Sequence, residues 1–208
     1  MINFFNFRKK KALSIQGFGK LPFYKDYISM VSAPEALRWR DWLLERFGKK
    51  KWRMPLGKWP FVFQSSPQTS MIIGIMESGT DGIREFPFSL FLVFDDDGIR
   101  GQTHWKTMIT IWENLKNIRN DMNEAKDIDS FYASLRSQFI PMHSKRKKEA
   151  EDNVEKKPDF FELFSDPDKS WPVFVIISDI LKQKFIIHHG DEMADDFLVN
   201  WEGLNHHV

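Results

Sequence analysis

The chain has 208 residues, 42% of them hydrophobic, and its 30 basic and 29 acidic residues leave a net charge of +1. That length and apolar content suffice for one compact domain, while the balanced charge removes the broad positive field that draws proteins to nucleic acid or anionic membranes. With no cysteine present, disulfides, thiolate metal sites and cysteine nucleophiles are excluded together, and 20 Phe and 8 Trp make large rings the dominant core material.

The opening residues, MINFFNFRKKKALSIQGF, place aromatics before the basic group and lack the apolar centre of a secretory signal. No run approaches the ~20 apolar residues of a membrane-spanning helix, so no direct membrane insertion and a cytoplasmic location are expected. Ala12 to Gln16 reads as a strand entering Gly17 and Gly19, and Pro22 predicts a tight turn straight after. Ser32 and Glu35 have capping-box spacing around Pro34, and Leu37, Trp39, Leu43, Leu44 and Phe47 supply one apolar helical face up to Gly48.

Three strands are predicted next, at Trp59 to Gln64, Met71 to Met76 and Phe86 to Phe94, separated by SSPQTS and ESGTDG. Connections this short favour an antiparallel meander. Trp105, Met108, Ile109, Trp112, Leu115 and Ile118 recur at three- and four-residue spacing, which predicts a helix over His104 to Met122. A second amphipathic helix opens near Asp127 and uses Ile128, Phe131, Leu135 and Phe139.

The charged stretch over 142–158 lacks the apolar groups that would offset ordering entropy, and a mobile loop is expected there. A short helix around Asp159 to Phe164, strands at Pro172 to Ile177 and Lys184 to His188, and a helix from Asp191 to about Trp201 complete the reading. Helices mixed with sequence-adjacent strands, without βαβ alternation, predict one α+β domain over residues 1–208. Its sheet should be mainly antiparallel and flanked by helices.

Three constellations of residues have the types that chemistry needs. GFGKLPF looks like a phosphate loop, but Lys20 is followed by Leu21 and Pro22 where a P-loop needs Ser or Thr and an immediate helix. His188, His189 and Asp191 are metal-ligand types that would suit a metal-dependent hydrolase, yet neighbouring strand residues face opposite ways. Trp and basic residues interleave between Lys49 and Arg53 as on single-strand nucleic-acid surfaces, against which stands the near-neutral chain. No cofactor, no metal and no nucleic acid are expected, and the enzyme reading is the alternative to a binding protein.

GFGKLPFYKDYI, through Gly17, Gly19, Lys20, Pro22, Asp26 and Tyr27, resembles the opening of the TagF/ImpM family of type VI secretion-associated proteins. The Trp-rich helix of that family is similar to PEALRWRDWLLERF, with Trp39, Trp42 and Leu43 in the comparable region. Met76, Ser78, Arg84, Phe86 and Pro87 in IMESGTDGIREFPFSL match a second family stretch in order, with Glu77 in place of proline and Asp81 and Gly82 out of step by one. HHGDEMADDFLVNW is a weaker likeness.

The resemblance implies a non-enzymatic cytoplasmic accessory factor. Such a factor would repress assembly or firing of the secretion apparatus after translation by binding its forkhead-associated scaffold protein. The contact surface is then expected over Lys20 to Tyr27 and Ser78 to Pro87, with Phe23 and Tyr24 as aromatic anchors. A partly buried ion pair between Asp26 and Arg84 is expected to pin the first loop to the third strand, with Gly19 and Pro22 shaping the turn.

Overall fold

Apolar runs joined by short turns pair in chain order, and here they form the centre of a sheet. The computed structural model describes residues 13–48, 57–94, 102–140, 164, 170–179 and 184–189. Its strands are β1 (Leu13–Ser14), β2 (Gln16–Gly19), β3 (Ile28–Met30), β4 (Lys58–Gln64), β5 (Met71–Glu77), β6 (Phe88–Phe94), β7 (Phe139–Ile140), β8 (Val173–Asp179) and β9 (Lys184–His189). The helices are α1 (Pro34–Phe47), α2 (Gln102–Asp121) and α3 (Ile128–Ser137), with a 3-10 turn over Met122–Glu124.

The meander β4-β5-β6 is extended by the hairpin β2-β3 on its β6 side and the hairpin β8-β9 on its β4 side. The order is therefore β3-β2-β6-β5-β4-β8-β9, antiparallel at every pairing. This is a single α+β domain with an antiparallel sheet between helices, as the sequence predicts.

Side-chain alternation divides the core into two layers. On one face, Phe61, Phe63, Ile72, Met76, Phe91, Phe174 and Ile176 pack beneath Trp39, Trp42, Leu43 and Phe47 of α1. On the other, Val62, Ile73, Ile75, Leu90, Leu92 and Val175 meet Trp105, Met108, Trp112 and Leu115 of α2 and Phe131 and Leu135 of α3. Both faces are thus covered, which is why the central strands read as nearly unbroken apolar runs. Trp39 is fully buried, its ring centroid 4.6 Å from that of Phe61, and its indole N–H donates to Ser89 Oγ at 3.1 Å. Ser89 in turn donates to the Phe18 carbonyl at 3.1 Å, so the polar atoms of this contact are satisfied deep in the layer.

Four local expectations are corrected. The strand entering the glycines continues through them to Gly19, leaving Ile15 between β1 and β2. The capping box does not form: Pro34 starts the helix one residue later than that spacing requires, making Ala33 the N-cap. Ser32 N–H instead donates to Gln16 Oε1 at 2.8 Å, and Glu35 bonds with Arg38 and Ser65. Phe139 leaves the helical register because α3 ends at Ser137 and Gln138 turns extended (φ −93°, ψ 132°), allowing β7 to pair with β1. Phe86 and Pro87 precede β6 rather than opening it.

The charged stretch 142–158, the helix expected from Asp191 to Trp201 and the Lys49 to Arg53 segment lie outside the described residues. Among the described residues no helix is long and apolar enough to cross a membrane.

Candidate functional site

Pairing Phe18 with Ser89 brings the loop that follows β2 and the loop that precedes β6 to the same end of the sheet. The first loop begins at Gly19, whose φ of 138° lies where only glycine rests without strain. A β-carbon there would sit 2.1 Å from the Pro87 carbonyl oxygen and 2.5 Å from Phe88 Cα. The two loops therefore approach backbone to backbone.

Lys20 then turns inward and is fully buried. Its ammonium donates to Asp81 Oδ2 at 2.6 Å and to the Lys25 carbonyl at 3.0 Å, and it lies 4.5 Å from the centroid of the Tyr27 ring. One cation thus closes its own loop and ties it to the second. This is the role of the lysine in GFGKLPF: its charge is directed at a carboxylate inside the protein. The turn predicted at Pro22 is present, closed by Tyr24 N–H donating to the Leu21 carbonyl at 3.1 Å.

Asp81 organises the second loop. Its Oδ1 accepts from the backbone N–H of Ile83 at 2.9 Å and of Arg84 at 2.7 Å, while Oδ2 accepts from Lys20 and from Arg84 Nε and Nη2 at 3.2 and 3.0 Å. Below this turn, Thr80 bridges Glu85 and Phe86 N–H donates to the Gly79 carbonyl at 2.9 Å. Arg84 Nη2 also reaches the Lys25 carbonyl at 3.2 Å, a second link between the loops. Under them lies an aromatic floor in which Tyr27 stacks on Phe18 (5.5 Å) and meets Phe86 edge-on (4.8 Å).

The hydrogen bond from Lys20, followed by those from the Arg84 and Ile83 amides, holds the Asp81 carboxyl well below the usual carboxylate range. Burial pushes the Tyr27 phenol up, partly opposed by the Arg84 charge. Asp127, the N-cap of α3, is also lowered, chiefly by the Ser130 amide. For both aspartates the folded value lies below the ordinary 3.8, so at acid pH the folded state binds fewer protons than the unfolded state does. Their stabilisation is complete above about pH 4 and is lost on going lower. The urea midpoint is accordingly expected to fall between about pH 6 and pH 3, and Asp81→Asn should flatten that decline.

The expected Asp26–Arg84 pair is not formed. Arg84 pairs with Asp81, three residues before it, whereas Asp26 is exposed and makes no ion pair among the described residues. An Asx turn brings Asp81 beside the Arg84 backbone as well as its side chain, so the guanidinium is engaged by the nearer carboxylate. The remaining site residues divide between interior and surface. Gly19, Lys20, Phe86 and Pro87 are buried, Phe23, Tyr24 and Tyr27 half-buried, and Pro22, Lys25, Ser78 and Arg84 exposed. Phe23 packs towards α3, its ring 5.8 Å from that of Phe131, so part of each expected anchor is spent internally.

Sequence reasoning missed Asp81. The available signal was the Asp-Gly dipeptide in TDGIR, a turn former whose carboxylate can accept from the amides two and three residues on. His188 and His189 both belong to β9, in register with Phe174 and Val173, and Asp191 lies outside the described residues. Among the described residues no three His, Cys, Asp or Glu side chains group as a metal site.

No protein-family model matches the chain, and no curated protein does. Among solved structures the chain is similar to PA0076 from Pseudomonas aeruginosa PAO1, at 16% identity and a TM-score of 0.43. The match covers 62% of this chain and 64% of that one, so it spans less than two thirds of the neighbour's length.

Proposed function

We propose that this protein works by docking another protein on the braced pair of loops, and that it makes and breaks no covalent bonds. The observation that carries the reading is the buried Lys20–Asp81 contact, which unites residues 20–27 and 78–87 in one pre-shaped surface. Preorganisation of this kind lowers the entropy lost on association. Pro22, Lys25, Asp26, Ser78, Ile83, Arg84 and Glu85 are the side chains the surface exposes.

The resemblance of both segments to the TagF/ImpM family supports a more specific form of the proposal. The protein is a cytoplasmic accessory factor of a type VI secretion system. It represses assembly or firing of the apparatus after translation, and its partner is the forkhead-associated scaffold protein of that system.

Calorimetric titration of the purified chain with the scaffold protein from the same organism tests this directly, with saturable binding as the expected result. Absence of any binding heat or co-elution would sink the proposal. Asp26→Asn is expected to weaken binding while changing unfolding free energy by no more than ~0.5 kcal/mol, because its side chain is exposed and unpaired among the described residues.

A further inference from the structure

Ile83 is 85% exposed, whereas the other exposed large hydrophobics among the described residues, Leu37 and Ile187, stand at 36% and 38%. A lone surface hydrophobe is ordinarily unremarkable. This one differs in being held rigidly at the tip of the second loop. Its own N–H and that of Arg84 are both captured by Asp81 Oδ1, and the preceding Gly82 takes a φ of 86° that shapes the turn. Asp81 is itself locked by buried Lys20, and the Thr80–Glu85 bridge closes the base of the loop. An aliphatic side chain branched at Cβ, with few χ1 states, is thus carried outward on a turn that has little conformational freedom left to lose.

The charges beside it differ in how far they are already engaged. Arg84 directs Nε and Nη2 at Asp81 and the Lys25 carbonyl, while its Nη1 has no partner among the described residues. The Arg84 side chain is 58% exposed and follows Ile83 directly in the chain. Lys25 is also exposed, and its ammonium has no partner among the described residues. Asp26 and Glu85 are the exposed acids of the same two loops, and Asp81 is neutralised internally.

We infer that Ile83 is the anchor of the docking surface, and that the partner protein receives it in a small apolar socket with a carboxylate at the rim facing Arg84. The inference rests on the docking reading above and adds to it the contact point and the chemistry of the partner. A socket excludes water from the side chain, which is where an aliphatic group gains most from association. A carboxylate at the rim meets the remaining guanidinium edge with charge-assisted hydrogen bonds.

The test titrates the purified full chain with the purified scaffold protein, comparing wild type, I83D and I83V at low and high salt, with a urea midpoint for each. I83D is expected to bind at least ~30-fold more weakly, as at an interface hot spot. I83V, lacking one methylene, should lose only about fourfold. Wild-type affinity should fall as salt rises, because the rim contact is partly solvated. All three midpoints should coincide, since the side chain at position 83 points into solvent.

Equal binding by wild type and I83D would overturn the anchor and leave the docking reading standing. Lost binding together with a lowered midpoint would assign Ile83 to folding and overturn the anchor as well. Salt-independent affinity would overturn the rim carboxylate. Failure of the wild-type chain to bind the scaffold at all would reject the docking reading, and the anchor with it.

Discussion

Lys20→Met is expected to lower the unfolding free energy by about 3–5 kcal/mol, the usual loss when one member of a buried ion pair is removed. Methionine preserves much of the aliphatic stem, so the change tests the charge more than the packing. Without the ammonium, Asp81 loses its 2.6 Å donor in a site where both side chains are almost completely shielded from water, at 0% and 2% exposure. The Tyr27 face loses its cation at the same time. Urea unfolding is the measurement.

Arg84→Ala serves as the comparison, because Arg84 meets the same carboxylate but is 58% exposed. It should cost at most ~1 kcal/mol alone. In the Met background it should cost more, since Arg84 is then the only remaining cation on Asp81 among the described residues, and a double-mutant cycle would expose that coupling. Equal effects of the two single changes would refute the assignment of Lys20 as the brace.

Gly19→Ala is expected to cost about 4 kcal/mol, a sum of backbone strain and overpacking that each run to roughly 1–3 kcal/mol. The strain arises because φ is 138°, and the overpacking because the new methyl would press on the Pro87 carbonyl and Phe88 Cα. Backbone is what it meets, so a rotamer change cannot relieve it. Only separation of β2 from the start of β6 can, and amide exchange at Phe18 and Ser89 should accelerate along with the loss of urea resistance. Unaltered exchange and stability would mean that the two loops are not in backbone contact.

These two variants disturb the same junction by different means, one by unpairing a charge and the other by forcing backbones apart. A partner that docks on the braced loops should therefore be lost with both. Asp26→Asn and I83D are the contrasting cases, in which binding is expected to change while the fold is unaffected.

The extent to which the chain itself disclosed this arrangement differs between elements. The α1, α2 and α3 helices and the β4-β5-β6 meander follow from local rules. Their apolar periods, Pro34 at the first turn of α1, and the Ser/Pro and Gly/Asp-rich connections appear in contiguous stretches. The buried tryptophans on α1 follow in the same way, since Trp39, Trp42 and Leu43 share its apolar face.

The candidate site was only half visible. GFGKLPFYKDYI marked out Lys20 and argued against a phosphate loop, but it placed the lysine on the contact surface, whereas its side chain is buried. The partner of Lys20 could not be read, because 61 residues separate it from Asp81 and a sequence offers several carboxylates of equal standing. Asp26 was matched with Arg84 instead, although the carboxylate that Arg84 meets belongs to Asp81, three residues before it. The placement of β1 against β7, which converts Phe139 from a helical position into a strand residue, was hidden for the same reason.

Local order in this protein is set by interactions within a few residues: helix faces, turn formers and alternating strands. Those carry their own signature in the chain. Which carboxylate neutralises Lys20, which residue becomes the N-cap of α1, and which side chain is left standing at the loop tip depend on distant segments being packed together. Only there do desolvation and close backbone approach distinguish one candidate from another.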